Sequence, residues 1–225
     1  MFKKSYRYIL LIILYFMCQC GFFILILNHF GINYKELSAT YKNIILIIDS
    51  LIYVGILLYL FRKEIKFGIN DLKKHFKDRA YTAVMCWAIG FLIMGISSII
   101  ISYILKEPTS GNEAIIRAEI KKAPIYMIIS CCVTAPLFEE LLFRKMPSTI
   151  LKNKYLFIIF SGLIFGLLHV IGTSSSPLEY LYIIPYGAMG SSFAYLLYKT
   201  DNLTLPILVH MLHNTILVLR QIIGG

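Results

Sequence analysis

Long apolar runs separated by short polar loops dominate the chain. Seven of these runs approach or reach the roughly 20 residues that an α-helix needs to cross a bilayer. They predict seven membrane spans, at residues 8–27, 43–61, 81–105, 125–151, 155–171, 178–198 and 205–223. The first run is too long for a signal-peptide core and lacks a small-residue cleavage site, so we expect it to be retained. The pattern therefore predicts an all-α fold, a polytopic transmembrane helix bundle.

The loop between the second and third predicted spans has a different pattern. Ile65, Ile69, Leu72 and Phe76 recur at intervals of three and four residues, with most lysines of the loop on the opposite face. This spacing predicts an amphipathic helix that lies on the inner membrane surface in the cytoplasm. A short helix over residues 113–121 is also predicted, in the loop that follows the third span.

Composition and charge favour the same class of protein. Hydrophobic residues make up 58% of the chain and charged residues 15%, whereas soluble domains carry about 25% charged residues. The net charge of +10 comes from lysines and arginines concentrated in alternate loops, which indicates membrane orientation and not nucleic-acid binding. The positive-inside rule places the N-terminus in the cytoplasm and the C-terminus outside. The lysine- and isoleucine-rich composition indicates a low-GC bacterium, so we expect the location of this membrane protein to be a bacterial plasma membrane.

Two adjacent acids stand inside the fourth apolar run. Glu139 and Glu140 follow a stretch, residues 125–138, that carries no charge, and ionisable groups at membrane depth are by default candidates for function. Arg144 follows Glu140 by four residues and can form an ion pair with it along one helix face. Glu139 is rotated about 100° away and stays free for another task. The alternative is that both acids mark a helix end in the headgroup region.

Three further polar groups lie in predicted spans. His169 ends the fifth run, while His210 and Asn214 share a helix face in the last run. Counting residues from the turn at 152–154 places His169 and Glu139 in one layer, and His210 shallower. A single histidine in an apolar helix is more often structural than catalytic, but three polar groups together favour a site.

This set suits two kinds of chemistry, both of which hydrolyse a carbonyl compound with water. Glu139, His169 and His210 can hold a zinc ion with an open position for water. Alternatively, a glutamate acts as general base on a water that the histidines position, while Asn214 and a histidine stabilise the oxyanion. Of the remaining polar residues in the spans, we expect Asp49 to be capped by Ser50 or a tyrosine.

The motifs Glu139-Glu140-x-x-x-Arg144, Phe165-x-x-x-His169 and His210-x-x-x-Asn214 together resemble those of the CPBP intramembrane proteases. This family includes type II CAAX prenyl endopeptidases, bacteriocin-processing proteins and Abi-type proteins. The resemblance covers about residues 123–220 and divides the chain into N-terminal transmembrane helices (1–122) and a catalytic core (123–225). It implies a glutamate-dependent membrane protease in which Glu139 activates water. By the same resemblance, Glu140, Arg144, His169, His210 and Asn214 complete the site, and His213 is an additional, structural histidine that faces elsewhere.

The resemblance leaves the substrate open. A CAAX-type protein, a peptide leader and a bacteriocin-related peptide fit equally, and the sequence does not set the oligomeric state. The alternatives to a protease are a non-catalytic scaffold or immunity protein that binds a partner, and an ion-coupled carrier that uses the two glutamates. The two halves of the chain show no inverted repeat, which argues against the carrier.

Overall fold

The computed structural model describes residues 2–107 and 109–224, and these residues form helices and no strand. The all-α prediction is confirmed. The α-helices are α1 Phe2–Gln19, α2 Phe22–His29, α3 Ala39–Leu60, α4 Arg62–Lys74, α5 Phe76–Leu105, α6 Gly111–Lys122, α7 Pro124–Ile150, α8 Lys154–Val170, α9 Ile183–Thr200 and α10 Thr204–Gly224. Two short 3₁₀ helices, Tyr34–Glu36 and Pro177–Tyr182, lie in loops.

Four helices of the described chain, α3, α5, α7 and α10, are long and apolar enough to cross a membrane. The count rises to five if α1 and α2 form one broken span, so the number seven is not confirmed. Helix α8 is apolar but shorter, with 17 residues. The sixth predicted span begins as a 3₁₀ helix and becomes α-helical only at Ile183.

The first predicted span is not continuous. Helices α1 and α2 meet at an angle of 65°, and Gly21 between them has a φ of 63°. This left-handed conformation is accessible to glycine at no steric cost but disfavoured for residues with a Cβ atom. The apolar run 8–27 hides the break because periodicity does not report a single left-handed residue.

The core of the bundle is built around α7. Half of its most apolar segment is buried inside the protein, against 17% of the corresponding segment of α5. Leu141 of α7 is fully buried in the largest apolar cluster, together with Leu11 of α1 and Leu57 of α3. On α5, by contrast, Ile99 and Tyr103 are 72% and 86% exposed, as expected for side chains that face lipid.

Glycines allow α8 and α9 to approach each other closely. A Cβ atom at Gly166 of α8 would lie 2.6 Å from the Ile183 carbonyl oxygen, and one at Gly190 of α9 would lie 2.9 Å from Phe165 Cβ. Small residues at such crossings let two membrane helices pack backbone against backbone. This contact places His169 of α8 against the face of α9 that carries Tyr186.

The predicted amphipathic segment is a helix, α4, which covers the start of α10. Asn202 donates to the Gly68 carbonyl at 3.0 Å and to Asp71 at 2.7 Å, and Thr204 donates to the Ile65 carbonyl at 3.2 Å. Asn202 is fully buried by these contacts. Helix α10 therefore begins beneath α4 and not at the surface of the bundle. The position of α4 on a membrane stays a prediction.

The predicted helix over residues 113–121 is confirmed as α6, Gly111–Lys122. It begins two residues earlier than predicted, because the Ser110 side chain accepts a hydrogen bond from the Glu113 backbone N–H and caps the helix. Helix α6 lies at the end of the bundle where α7 begins.

Candidate active site

The two glutamates lie on a helix whose backbone is irregular on both sides of them. In α7, the α-helical segment Ala135–Glu140 is flanked by π-helical turns at Ser130–Thr134 and Leu141–Lys145. Such π-helical turns are rare and occur frequently at functional sites. Their effect here is to free backbone carbonyls and to direct both acids into the protein.

Glu140, Arg144 and His210 form a fully enclosed charged cluster. One Glu140 oxygen, Oε1, lies 3.2 Å from Arg144 Nη1 and accepts a hydrogen bond from His210 Nδ1 at 2.8 Å. Glu140 and Arg144 have no exposed surface, and His210 is 2% exposed. The acids therefore do not mark a helix end in the headgroup region, and the predicted Glu140–Arg144 ion pair is present.

Aromatic rings and carbonyl oxygens complete the surroundings of Arg144. Its guanidinium lies over the Phe165 ring at 4.3 Å and donates to the Gly190 carbonyl at 3.3 Å. Because a buried charge is tolerated only when it is paired and hydrogen-bonded, these contacts let Arg144 hold Glu140 in place.

Glu139 faces the opposite edge of the His210 ring. Its Oε2 atom lies 3.6 Å from His210 Nε2 and is buried without a hydrogen-bond partner among the described residues. Because His210 donates through Nδ1 to Glu140, the neutral ring presents an acceptor at Nε2. Glu139 Oε2 and His210 Nε2 are thus two neighbouring acceptors, and one water molecule can donate one hydrogen to each of them.

His169 is oriented by its own helix. Its Nδ1 atom donates to the Phe165 carbonyl at 2.8 Å, which leaves Nε2 as the acceptor of the neutral ring. The ring packs between Phe165 and Tyr186, with centroid distances of 4.3 and 4.7 Å. The Phe165 carbonyl therefore sets the tautomer of His169, and the two aromatic rings set the orientation of its ring plane.

Asn214 connects α10 to the first π-helical turn of α7. In the π register the Cys131 carbonyl would bond to residue 136, which is a proline without an N–H. Asn214 Nδ2 donates to this carbonyl at 2.8 Å and replaces the missing bond. One of its two amide hydrogens is thus used, and the second remains for a ligand.

These groups line one cavity of about 210 Å³, which we call the main cavity. The structure therefore brings Glu139, His169, His210 and Asn214 to a common space, while Glu140 and Arg144 lie behind it. Most of the other lining residues are apolar and include Met94, Ile116, Ile120, Leu217 and Val218, while Asn112, Glu113 and Gln221 add polar groups.

Two expectations about position are wrong. His210 does not lie shallower than Glu139: the start of α10 is buried beneath α4, which sets the whole helix deeper than a count from the loop suggests. His213 does not face away from the site, because it also lines the main cavity. Its Nδ1 accepts a hydrogen bond from Trp87 Nε1 at 3.3 Å, so it is anchored to α5.

Residues of α6 and α9 were missed by the sequence reasoning. The Tyr186 hydroxyl forms a hydrogen bond with Ser110 Oγ at 2.7 Å and accepts one from Asn112 Nδ2 at 3.3 Å. These two bonds hold the start of α6 next to the main cavity. Phe193 packs on the His210 ring at 4.8 Å. The spacing of Tyr186 and Phe193, seven residues apart on one helix face, is the signal that was available.

The predicted zinc ligands do not form a three-ligand site in this arrangement. The tautomers are suitable for metal binding. In both histidines Nδ1 donates a hydrogen bond to an oxygen atom and Nε2 stays free, as in metal-bound histidines. Over residues 2–107 and 109–224, however, no three His, Cys, Asp or Glu side chains are grouped at metal-ligand spacing. Zinc stays a prediction, and no step below depends on it.

Comparisons with known proteins show which sequences this chain resembles. Residues 121–216 match the family model described as type II CAAX prenyl endopeptidase Rce1-like. The "Putative membrane peptidase YdiL" of Bacillus subtilis (strain 168) is 28% identical over 239 residues, which cover 98% of this chain and 90% of that protein. The "Membrane-embedded CAAX protease MroQ" of Staphylococcus aureus (strain USA300) is 28% identical over 156 residues, or 63% and 60% of the two chains. No solved structure matches.

The bundle has helices that are able to cross a membrane, and both relatives carry names of membrane peptidases or proteases. Through residues 121–216 the chain is similar to the Rce1-like type II CAAX prenyl endopeptidases. The resemblance read from the three motifs is thereby confirmed.

Proposed function

We propose that this protein is an endopeptidase that hydrolyses a peptide bond inside the membrane, with Glu139 as the general base. The observation that carries the proposal is the pair of acceptors, Glu139 Oε2 and His210 Nε2, 3.6 Å apart at the wall of a buried cavity. A water molecule that donates one hydrogen to each atom has its lone pairs directed into the cavity. A buried carboxylate without a protein partner is a strong acceptor for such a proton.

In the reaction, Glu139 takes one proton from the water while the water oxygen bonds to the substrate carbonyl carbon. The carbonyl oxygen becomes an oxyanion, and the free amide hydrogen of Asn214 stabilises it. When the intermediate collapses, the C–N bond breaks and Glu139 returns the proton to the leaving nitrogen. One water is consumed, and the carboxylate is regenerated.

The other residues position these groups. Glu140 holds His210 through Nδ1, and Arg144 holds Glu140, so the orientation of Nε2 depends on a buried ion pair. His169, fixed by the Phe165 carbonyl, offers Nε2 as an acceptor for a substrate N–H. Pre-set hydrogen-bonding groups need no rearrangement at the moment of reaction, which is the main source of catalysis at such sites.

The substrate is a protein or peptide that presents an apolar segment. Most residues that line the main cavity are apolar, which favours such a segment over a highly charged one. A CAAX-type protein, a peptide leader and a bacteriocin-related precursor all have this property. MroQ is named a CAAX protease, which supports the first class without excluding the others.

A chromosomal allele distinguishes the protease from a scaffold or immunity protein. A deletion strain is complemented with the wild type, with Glu139→Gln, or with Glu119→Gln as a matched control at an exposed acid of α6. Membrane and secreted proteins are then compared by quantitative mass spectrometry. We expect uncleaved precursors to accumulate in the deletion strain and with Glu139→Gln, but not with Glu119→Gln. A scaffold predicts that Glu139→Gln behaves as the wild type.

A further inference from the structure

A second cavity, which we call the small cavity, lies on the other side of α7. It has a volume of about 120 Å³, and Ala135 and Glu139 line both this cavity and the main one. Helix α7 lines both cavities. The other walls of the main cavity come from α5, α6, α8, α9 and α10, and those of the small cavity from α1, α3 and Gly21. Glu139 therefore stands at the boundary between two separate spaces.

The two cavities differ in chemistry. The main cavity is lined mainly by apolar side chains, with Asn112, Glu113 and Gln221 as polar groups away from Glu139. The small cavity is lined mainly by polar groups, namely Tyr15, Gln19, Asp49, Ser50, Tyr126 and Ser130. Its volume has room for several water molecules, since about 10–15 Å³ of such space suffices for one.

Asp49 is the strongest indication that the small cavity holds water. The expected cap from Ser50 or a tyrosine is absent: within the described part of the chain, no hydrogen bond reaches its carboxylate. An acid in an apolar helix without a protein partner is tolerated where water solvates it. The small cavity is the polar space that Asp49 lines.

The break between α1 and α2 lies beside the small cavity. Gly21, with its left-handed backbone, lines the small cavity, and at this point α2 turns 65° away from the direction of α1. A straight first helix would continue past α3 at this level. The bend thus separates α2 from the bundle beside Gln19 and Asp49.

Hydrolysis requires a water at Glu139 for every bond broken. An apolar substrate that fills the main cavity blocks that side of the carboxylate to solvent. We infer that the small cavity is the solvent inlet of the site, which supplies Glu139 with the hydrolytic water from the side away from the substrate. Asp49 acts as a positioning residue that keeps this inlet hydrated. The role of the small cavity as an inlet rests on the proposed hydrolysis. The hydration of the small cavity is independent of it.

The first test measures hydration without any substrate. Radiolytic footprinting of the full-length protein in detergent generates hydroxyl radicals from water and oxidises side chains next to it. We expect Tyr15 and Tyr126 to oxidise several-fold faster than Tyr53, a 4% exposed core tyrosine that serves as control. Asp49→Leu should slow the oxidation of both residues, and Asp49→Asn should not. Equal rates at Tyr15, Tyr126 and Tyr53 would overturn the inference.

The second test measures turnover of a precursor identified by the allele comparison. Asp49→Leu should lower kcat about tenfold or more, which is a barrier change of at least about 1.4 kcal/mol, with KM unchanged. Asp49→Asn, which keeps a polar group, should remain close to the wild type. Gly95→Leu, on the open face of α5, controls for the added bulk.

An unchanged kcat in Asp49→Leu would reject the inlet and leave the proposed function intact. A fall caused by lost folding would instead appear as a smaller folded fraction and a lower thermal stability, so kcat is calculated per folded molecule. Cleavage that persists in Glu139→Gln would remove the proposed function, whatever the footprint of the small cavity shows.

Discussion

Helices α7 and α5 are both long and apolar enough to cross a membrane, but they differ in the charged residues that they contain. Residues 80–105 of α5 contain no Asp, Glu, Lys, Arg or His, and most of their surface faces outward. Helix α7 carries Glu139, Glu140 and Arg144 and is half buried. Charged groups at depth need protein partners in place of water, so the helix with the charges is the one that the bundle encloses. In this pair of helices enclosure accompanies the charged residues, whereas α10, which carries His210 and Asn214, has only 22% of its most apolar segment buried.

The largest expected effect contrasts two histidines of α10 that line the same cavity. His210→Ala removes the acceptor beside Glu139, and we expect cleavage to fall by about 10²–10⁴-fold, the usual contribution of general acid–base groups. His213→Ala removes a ring anchored to Trp87 and should retain most of the activity. Precursor cleavage in isolated membranes measures both. Equal losses would mean that position in the cavity, and not the contact with Glu139, matters.

The next effect concerns the charges that distinguish α7 from α5. Glu140→Ala leaves Arg144 buried without a counter-ion, and we expect a loss of about 3–5 kcal/mol of folding stability. Replacing both residues, as Glu140→Ala with Arg144→Met, should recover much of the stability but not the activity, because His210 stays unanchored. Thermal unfolding in detergent, with Glu119→Ala as an exposed-pair control, measures this. A stable Glu140→Ala single variant would contradict the buried pair.

A third prediction compares glycines on the enclosed and the open helices. Gly190→Ala adds a Cβ atom 2.9 Å from Phe165 Cβ, and we expect overpacking to cost about 1–3 kcal/mol. Gly95→Ala on α5 meets nothing within 4 Å and should be neutral or stabilising by up to about 1 kcal/mol. Unfolding midpoints of the two variants decide the point, and equal shifts would contradict the close α8–α9 contact.

The smallest effect lies outside the bundle, where α4 covers α10. Hydrogen bonds from Arg79 hold the pKa of the Asp71 carboxyl below its usual range. Its contribution is therefore present above the ordinary pKa of about 3.9 and is lost as pH falls through the lowered value. Asp71→Ala should cost about 1 kcal/mol at pH 7. The difference from the wild type should shrink below about pH 4, and a constant difference would contradict the ionic role.

The predictable part of the molecule follows from periodicity and local spacing. The helical fold, the surface helix α4 and the Glu140–Arg144 pair all depend on residues three or four apart. The break at Gly21 and the π-helical turns of α7 depend on the backbone conformation of single residues or turns. The hydrogen bond from Asn214 to Cys131 depends on a contact across 83 residues. The depth of His210 depends on how α4 buries the start of α10. These features carry no local signature, so the sequence indicated candidate residues that the structure places around one cavity, but not the contacts between them.

The most direct test of the central claim uses purified protein in proteoliposomes with an identified precursor in H₂¹⁸O. The account predicts that the wild type cleaves one peptide bond and incorporates ¹⁸O into the new C-terminus. Glu139→Gln, folded and inserted as the wild type is, should be slower by about 10²-fold or more. Cleavage by Glu139→Gln at the wild-type rate would contradict the assignment of Glu139 as the base that activates water.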